Sequence, residues 1–345
     1  MTIYEYIKRY GDKTFKEKEF NEIDNLIFSL IVYLDFSEIL EEETNTIEKV
    51  GKKLIEKYTY KEINNYGTLQ KDAYKCLKLL INTNRYKNIE ISNYIYIGTN
   101  EEQFSALTFK INKKISYISF EGTDHLISGW KEDFQLSYMY PTMSQTHAIE
   151  YLKKTIKLFG PKIIVGGHSK GGNLALVSSM EQNIIKKLKI KQIYNNDGPG
   201  LRLREFQSRH YKQIKKKLTH IVPYNSIVGI LLRNDKYKAV ASTKKTVLSH
   251  AIATWMIYDD QLLETELTPK SKEIEKSVIE WLNNHNDDER KLMIENVFDI
   301  FKRCNITDTR DLRKIRSIIR ILKEVRNIDE ETKKLATSFI NYNFF

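Results

Sequence analysis

The chain has 345 residues, of which 41% are hydrophobic and 29% are charged, a balance that is typical of globular proteins and excludes a disordered chain. Its net charge is +11, and much of the excess lies in residues 186–191 and 202–217. The N-terminus lacks the apolar core of a signal peptide, and the best apolar run, Leu26 to Leu34, is too short to span a bilayer. The two distant cysteines indicate neither a disulfide framework nor a metal site, so we expect a cytoplasmic protein without metal or organic cofactor.

The first third of the chain has a helical pattern, and the period then changes. Residues 18–98 carry apolar side chains at helical spacing, with one helix expected from Phe20 toward Phe36 and two more over 47–57 and 69–80. Two strand-like runs follow at 104–109 and 115–120, separated by a polar Asn-Lys-Lys segment. This pair predicts a β-hairpin.

The middle of the chain alternates between strand and helix patterns. The expected elements are a helix over 145–159, a strand at 163–166, a helix from 173, a strand at 190–195, a basic helix over 202–218, and strands at 219–224 and 237–242. Such alternation indicates a mostly parallel sheet with helices on both faces.

After about residue 268 the pattern is purely helical, in four apolar stripes. The third stripe consists of Ile315, Ile318, Ile319, Ile321 and Leu322. We expect these stripes to form a core rather than a binding groove. The predicted organisation is therefore an α/β domain with N-terminal helices over 1–268 and a C-terminal helical appendage over 269–345.

The segment from Lys162 to Val177 is the strongest functional signal. A buried strand leads into a Gly-x-Ser-x-Gly sequence at 167–171, and a helix follows. Strand, sharp turn and helix in this order form the context of the nucleophile elbow of α/β-hydrolases, which makes Ser169 the predicted nucleophile. The alternatives are an ordinary helix-capping serine and a phosphate-binding loop, although Lys170 stands on the wrong side of Gly171 for a P-loop.

A nucleophilic serine needs a histidine base that is oriented by a carboxylate. In α/β-hydrolases these residues follow in the order serine, acid, histidine, and among the seven histidines His250 comes after the last core strand. A capping or surface role is its alternative. Asp197 directly follows the strand at 190–195, and catalytic groups collect at such carboxyl ends of strands. The alternative for Asp197 is a simple turn, because Asp-Gly and Pro-Gly favour turns.

The oxyanion hole needs two backbone N–H groups. One is expected from Lys170, which follows the nucleophile, and the other from Thr123, which follows the strand at 115–120. Gly122 permits close approach of the backbone, and Trp130 and His168 are the other predicted substrate-binding residues. The Lys170 side chain is expected to place a long cation at the mouth of the site.

These blocks resemble those of class 3 (fungal-type) lipases, and more closely those of a related bacterial lipase-like family of unknown function. The resemblance is carried by Asn-x-x-Asp-x-Leu at 21–26, Gly-Trp-x-x-Asp-Phe at 129–134, Gly-His-Ser-Lys-Gly-Gly-Asn at 167–173 and Asp-Gly-Pro-Gly at 197–200. It covers about residues 20–265 and implies an α/β-hydrolase fold. Two departures occur. Class 3 lipases carry their catalytic acid after the strand that corresponds to 219–224, and this chain has Ser226 there. They also usually have arginine where this chain has Glu121. The first departure favours Asp197 as the acid.

The sequence therefore predicts a serine hydrolase that cleaves carboxylic esters through an acyl-enzyme, with a small-molecule or lipid ester as substrate. No nucleic acid partner is expected, because no basic run is interleaved with aromatic residues. Two alternatives stay open. One is a catalytically inactive binding protein on a hydrolase fold. The other is a binder of anionic membrane surfaces through the basic segment 202–217.

Overall fold

A seven-stranded sheet organises the protein in the computed structural model, which describes residues 1–40, 45–58, 62–63, 67–99, 102–123 and 126–343. The strands lie side by side in chain order; the pairs β1–β2 and β2–β3 are antiparallel, and the remaining four pairs are parallel. The strands are β1 (Glu90–Gly98), β2 (Gln103–Lys110), β3 (Ile115–Phe120), β4 (Lys162–His168), β5 (Ile190–Asn196), β6 (Leu218–Pro223) and β7 (Lys238–Val240). Both the mostly parallel α/β-hydrolase-like class and the predicted hairpin are confirmed.

The two faces of the sheet bury alternate residues against different helices. Ile164 packs against the N-terminal helices, whereas its neighbours Ile163 and Val165 pack on the opposite face. The N-terminal helices are α1 (Ile3–Tyr10), α2 (Glu22–Ile31), α3 (Ile47–Lys57) and α4 (Thr68–Leu80). On the other face lie α6 (Met143–Thr155) and α7 (Lys170–Met180), and α8 (Ile184–Lys189) leads into β5. Every residue of α7 is buried, as expected for a helix that packs directly on a parallel sheet.

The N-terminal helices are held by buried polar contacts as well as by apolar packing. Asn21 caps α2 by accepting hydrogen bonds from the backbone of Ile23 and Asp24. Asp24 also forms an ion pair of 2.6 Å with Arg85, and both side chains are completely buried. The Asn-x-x-Asp block therefore has a structural role: Asn21 caps the start of α2, and Asp24 binds this helix to Arg85 in the segment before β1.

Three elements differ from the sequence prediction. Residues 90–98 form an edge strand rather than helix, and of its residues only Ile91 is buried, so the alternation that marks a strand is weak. A short helix, α5 (Ile127–Gln135), follows the loop after β3. The predicted basic helix over 202–218 is broken into α9 (Leu203–Phe206), α10 (Arg209–Ile214) and a 3-10 turn at Lys215–Lys217. The break occurs because Ser208 caps a new helix by accepting from the Tyr211 backbone.

The C-terminal residues form α11 (Pro269–Asn284), α12 (Asp287–Arg303), α13 (Ile315–Val325) and α14 (Glu330–Asn343). Their apolar cluster also includes Ile127 and Tyr138, at either end of α5. The backbone N–H of Ile127 donates to the carbonyl of Thr307 at 3.0 Å. The helical appendage therefore packs onto the segment that follows the predicted oxyanion loop. The boundary at 268 stays a prediction.

Four of the five residues in the third apolar stripe face solvent, contrary to the prediction that the stripe forms core, and Ile321 packs against the apolar cluster of the bundle. Ile315 is 74% exposed and Leu322 is 59% exposed, and Ile318 and Ile319 also face solvent. The buried residue of α13 is Ser317, so the side of the helix that carries Ser317 faces the bundle. Within the described part of the chain, no helix combines the length and apolarity that a bilayer crossing requires.

Candidate active site

Ser169 lies at a sharp turn between β4 and α7. Its backbone has φ 57° and ψ −132°, a conformation that a residue with a side chain rarely adopts and that costs free energy. A Cβ atom on Gly167 would lie 2.4 Å from the Gly171 carbonyl carbon, and one on Gly171 would lie 2.1 Å from the Phe120 oxygen. Only glycine fits at either position, so the Gly-x-Ser-x-Gly spacing follows from the close approach of strand and helix.

The Ser169 hydroxyl does not cap α7, in contrast to the alternative considered from sequence. The residue is 8% exposed. Among the described residues its hydroxyl has no hydrogen-bond partner, whereas its backbone N–H donates to the Asn196 carbonyl at 3.0 Å and its carbonyl accepts from the Gly172 N–H at 2.9 Å. Long or unformed nucleophile–base contacts are common in substrate-free hydrolases.

Asp197 and His250 are brought together, although 53 residues separate them. The Asp197 Oδ2 lies 2.6 Å from the His250 Nδ1. The other carboxylate oxygen accepts from the Ser226 hydroxyl and from the Gly229 backbone at 3.0 Å. Asp197 is completely buried and has φ 51°, a left-handed conformation that Asp tolerates better than most residues. Thus Ser226, at the position of the class 3 acid, instead fixes the carboxylate that orients His250.

Amide side chains hold the Asp197 turn against the nucleophile. The Asn173 amide group donates to the Gly200 carbonyl at 2.8 Å, and its oxygen accepts from Gln145 at 2.8 Å. A Cβ on Gly198 would lie only 2.2 Å from the Ser169 carbonyl oxygen. Contact of this kind explains why the turn has glycine after the acid and why Asn173 lies four residues after the nucleophile.

His168 is hydrogen-bonded to the backbone of His250. It is completely buried, and its Nε2 lies 2.8 Å from the His250 carbonyl oxygen, to which it donates. Its Nδ1 is therefore the acceptor and lies 3.0 Å from the Tyr33 hydroxyl. Burial, reinforced by the neighbouring His250, lowers the pKa of His168 well below its ordinary value, so the ring is neutral. Since protein groups engage both ring nitrogens, we assign His168 a positioning role rather than the predicted contact with substrate.

The loop after β3 lies directly against Ser169. A Cβ on Gly122 would lie 3.0 Å from the Ser169 Cβ and 2.2 Å from the Tyr33 hydroxyl. The next residue, Thr123, donates its hydroxyl to Asp133 Oδ2 at 2.7 Å. As the first residue of α7, Lys170 has a backbone N–H without an intrahelical acceptor. Lys170 thus directly follows Ser169, and Thr123 directly follows the glycine that lies against Ser169; their role as oxyanion hole stays a prediction.

Asp133 is an ionisable group behind this loop. Its Oδ1 is buried, and among the described residues no group donates a hydrogen bond to it. Burial raises the pKa of Asp133 to about 6, against the opposing effects of Lys170 and the Thr123 hydroxyl. The carboxylate holds the Thr123 side chain, and with it the oxyanion loop.

The Lys170 side chain does not lie at the mouth of the site, contrary to the expectation from sequence. Its ammonium is 1% exposed and donates to the Gln103 carbonyl at 3.0 Å and to Glu132 at 3.1 Å. Burial alone would raise the pKa of Glu132, but the charge of Lys170 and hydrogen bonds from Ser144 outweigh it and lower that pKa. This buried ion pair joins the helix after the nucleophile to α5.

Two segments that contribute residues to the site also carry exposed apolar side chains. Val247 and Leu248, just before His250, are 63% and 62% exposed. Trp130 and Phe134, on the helix that carries Asp133, are 42% and 38% exposed. The contribution of Trp130 to substrate binding stays a prediction.

Two cavities among the described residues are not lined by Ser169, Asp197 or His250. One of about 200 Å³ adjoins the oxyanion loop and is lined by Tyr33, Tyr94 and Glu121 among others. A larger cleft of about 760 Å³ lies between α9 and the turn from α11 to α12, and none of Ser169, Asp197 and His250 lines it. In the described residues, no group of three or more His, Cys, Asp or Glu is arranged to hold a metal ion.

A model of the Mbeg1-like protein family matches residues 80–299, well over half of the chain. The chain belongs to the Mbeg1-like family. The match contains Ser169, Asp197 and His250 and extends past residue 268 into α12, and it confirms the resemblance to a lipase-like family. Among solved structures, the crystal structure of M37 lipase aligns with 18% identity and a TM-score of 0.38, over 61% of this chain and 70% of that one. No curated protein matches the chain.

Proposed function

We propose that this protein is a serine hydrolase that cleaves carboxylic esters through an acyl-enzyme. The observation that carries the proposal is the contact between Asp197 and His250 beside a serine in a strained elbow. A buried carboxylate bound to the Nδ1 of a histidine leaves the Nε2 to act as a base. The fully buried Asp197 has its other oxygen occupied by Ser226 and Gly229, so it is held in one orientation.

In the proposed reaction, His250 Nε2 takes the Ser169 proton as the Ser169 oxygen attacks the ester carbonyl. The backbone N–H groups of Thr123 and Lys170 stabilise the resulting oxyanion. Collapse of this intermediate expels the alcohol, which receives the proton from His250, and leaves Ser169 acylated. Water, deprotonated by His250, then attacks the acyl group, and the acid is released with Ser169 restored.

The surroundings of Ser169 support an ester with an apolar body. Exposed apolar side chains lie close in sequence to the site residues: Val247 and Leu248 just before His250, and Trp130 and Phe134 on either side of Asp133. The Lys170 cation is paired in the interior with Glu132, so it gives no reason to expect an anionic substrate.

Hydrolysis of p-nitrophenyl esters of increasing acyl length tests the proposal. We expect Ser169→Ala to lose about a thousandfold or more in kcat/KM, as removal of a triad nucleophile does. Ser137→Ala is the matched control and should keep full activity, because the Ser137 hydroxyl donates to the Phe134 carbonyl and belongs to no part of the proposed mechanism. Undiminished turnover by Ser169→Ala would refute the proposal. A folded wild-type protein that turns over none of the esters would favour the inactive binding protein.

A further inference from the structure

The edge of the sheet opposite Ser169 carries the excess positive charge of the protein. Three segments, 153–162, 184–191 and 212–217, lead into the amino ends of β4, β5 and β6. Together they contain twelve lysines and no aspartate or glutamate. Because the whole chain carries +11, the rest of it sums to −1. We call this surface the lysine edge. All of its lysines except the buried Lys187 are at least partly exposed. The twelve are Lys153, Lys154, Lys157, Lys162, Lys186, Lys187, Lys189, Lys191, Lys212, Lys215, Lys216 and Lys217.

Backbone carbonyls, rather than carboxylates, accept many of the hydrogen bonds from these ammonium groups. Lys189 donates to the Gly160 carbonyl at 2.5 Å, and Lys217 donates to the Ile190 carbonyl at 2.7 Å. Such bonds join the three segments into one surface. They do not neutralise its charge, since a carbonyl has no net charge.

Carboxylates outside the three segments compensate only a small part of the charge. Glu150 pairs with Lys153 and Asp235 pairs with Lys215, each at 3.2 Å with both side chains about half exposed, and water weakens such pairs. Burial and the neighbouring ammonium groups of Lys153 and Lys157 lower the pKa of Lys186. The lysine edge is thus a concentration of like charges.

Large apolar side chains project from among these lysines. Phe159, in the turn before β4, is 98% exposed. The others are each more than half exposed: Leu158, Ile184, Ile185 and Leu188. Apolar side chains clustered on a surface and surrounded by charge mark a site of interaction with a membrane or another macromolecule.

We propose that the lysine edge docks on an anionic lipid bilayer. Lysines attract anionic headgroups, and the apolar side chains between them enter the boundary between headgroups and acyl chains. A nucleic acid would satisfy the charge but not the apolar side chains, because four of the five are aliphatic and cannot stack on bases. The proposal replaces the basic segment 202–217 suggested by the sequence with a surface in which charge and apolar side chains occur together.

The orientation of the docked protein follows from the sheet. Ser169 comes directly after β4, whereas the lysine edge lies before it. A strand of seven residues spans roughly 20 Å. A protein docked through the lysine edge therefore turns its active site away from that bilayer, toward substrates that arrive from the water.

Co-sedimentation with vesicles tests the inference without relying on the proposed hydrolase activity. The vesicles are phosphatidylcholine alone or phosphatidylcholine mixed with phosphatidylglycerol, each at low and high salt. We expect the wild type to sediment only with the anionic vesicles and less so at high salt. Phe159→Ser combined with Leu188→Ser should weaken binding at least tenfold. Lys154→Glu combined with Lys157→Glu should weaken it about 25-fold or more, since each lysine near an anionic surface is worth about fivefold.

Ile315→Ser combined with Leu322→Ser on α13 is the matched control, because it also removes two exposed apolar side chains beside basic residues. This control should bind within twofold of wild type, and thermal melting should show all variants folded. The proposal is overturned if the wild type ignores anionic vesicles, if the Phe159 and Leu188 variant binds as wild type, or if the α13 control alone loses binding. Binding to a DNA duplex that survives Phe159→Ser and Leu188→Ser, with no vesicle binding by wild type, would identify nucleic acid as the partner instead.

Discussion

The carboxyl edge of the sheet, where β4 and β5 end, and the amino edge, where they begin, differ in the burial of their polar groups. At the carboxyl edge, Asp197, His168 and Lys170 are buried, and each is engaged by specific donors or acceptors. At the amino edge, most of the lysines are exposed among apolar side chains such as Phe159. Burial with full hydrogen bonding fixes geometry. The comparison therefore separates side chains that the fold holds in one geometry, as the proposed chemistry requires, from charged and apolar side chains that the fold leaves accessible, as the proposed docking requires.

The carboxyl edge also depends on distant parts of the chain. Tyr33 contacts His168 across 135 residues, and His168 contacts His250 across 82. Since Tyr33 follows α2, the N-terminal helices help to position the base. The lysine edge needs no such support, because its residues adjoin consecutive strands.

The largest effect is expected at the acid. Asp197→Asn should lower kcat/KM by about 10³ to 10⁴, because an amide cannot hold the His250 imidazole in the tautomer that accepts the serine proton. Asp235→Asn is the control at an exposed aspartate that pairs with Lys215, and its activity should be unchanged. Equal activities of the two variants in ester hydrolysis would remove Asp197 from the catalytic group.

The buried ion pair should dominate the stability of the carboxyl edge. Lys170→Met leaves Glu132 buried without its cation, so we expect the free energy of unfolding to fall by about 3–5 kcal/mol. The pair of Lys131 with Glu295 is about one third exposed, and Lys131→Met should cost less than about 1 kcal/mol. Urea denaturation measures both, and similar losses would contradict the contrast between buried and exposed charges.

Asp133 should make stability depend on pH. Its folded pKa of about 6 lies above the ordinary value of 3.8, so the charged form is disfavoured in the folded state and stability falls as pH rises from about 4 to 6. Asp133→Asn should therefore raise the free energy of unfolding by up to about 3 kcal/mol above pH 6 and by little below pH 4. Thermal melts across this range check the sign, and a gain confined to low pH would contradict it.

The smallest effect on stability is expected at the lysine edge. Lys154→Glu with Lys157→Glu should change the free energy of unfolding by less than about 0.5 kcal/mol, because both side chains are exposed and structural contacts do not depend on them. A loss of several kcal/mol would mean that these lysines hold the fold together rather than await a partner.

Local signals made much of the site predictable. The glycines around Ser169 leave a short sequence pattern because strand and helix approach closely, and chain order then selects His250 and Asp197. Tyr33 and Glu132 left no such signal, since each bonds a residue far away in the sequence: Tyr33 bonds His168, and Glu132 bonds Lys170. The Lys170 side chain was misplaced for the same reason, because its buried partner Glu132 lies 38 residues earlier.

The fold was predictable where burial is one-sided and strong. Strand β1 was missed because an edge strand with one buried residue shows little alternation. The apolar stripe of α13 was recognised, but periodicity defines a face of a helix and not the direction in which that face points. Ile315 and Leu322 show the difference, since they belong to the stripe and face solvent.

Labelling with a fluorophosphonate probe, followed by mass spectrometry of the modified peptide, tests most directly whether Ser169 is an activated nucleophile. We predict that the wild type is labelled at Ser169 and that labelling is lost in His250→Ala, with both proteins folded. A folded wild-type protein that remains unlabelled at Ser169, or equal labelling of Ser169 without His250, would contradict the proposed mechanism.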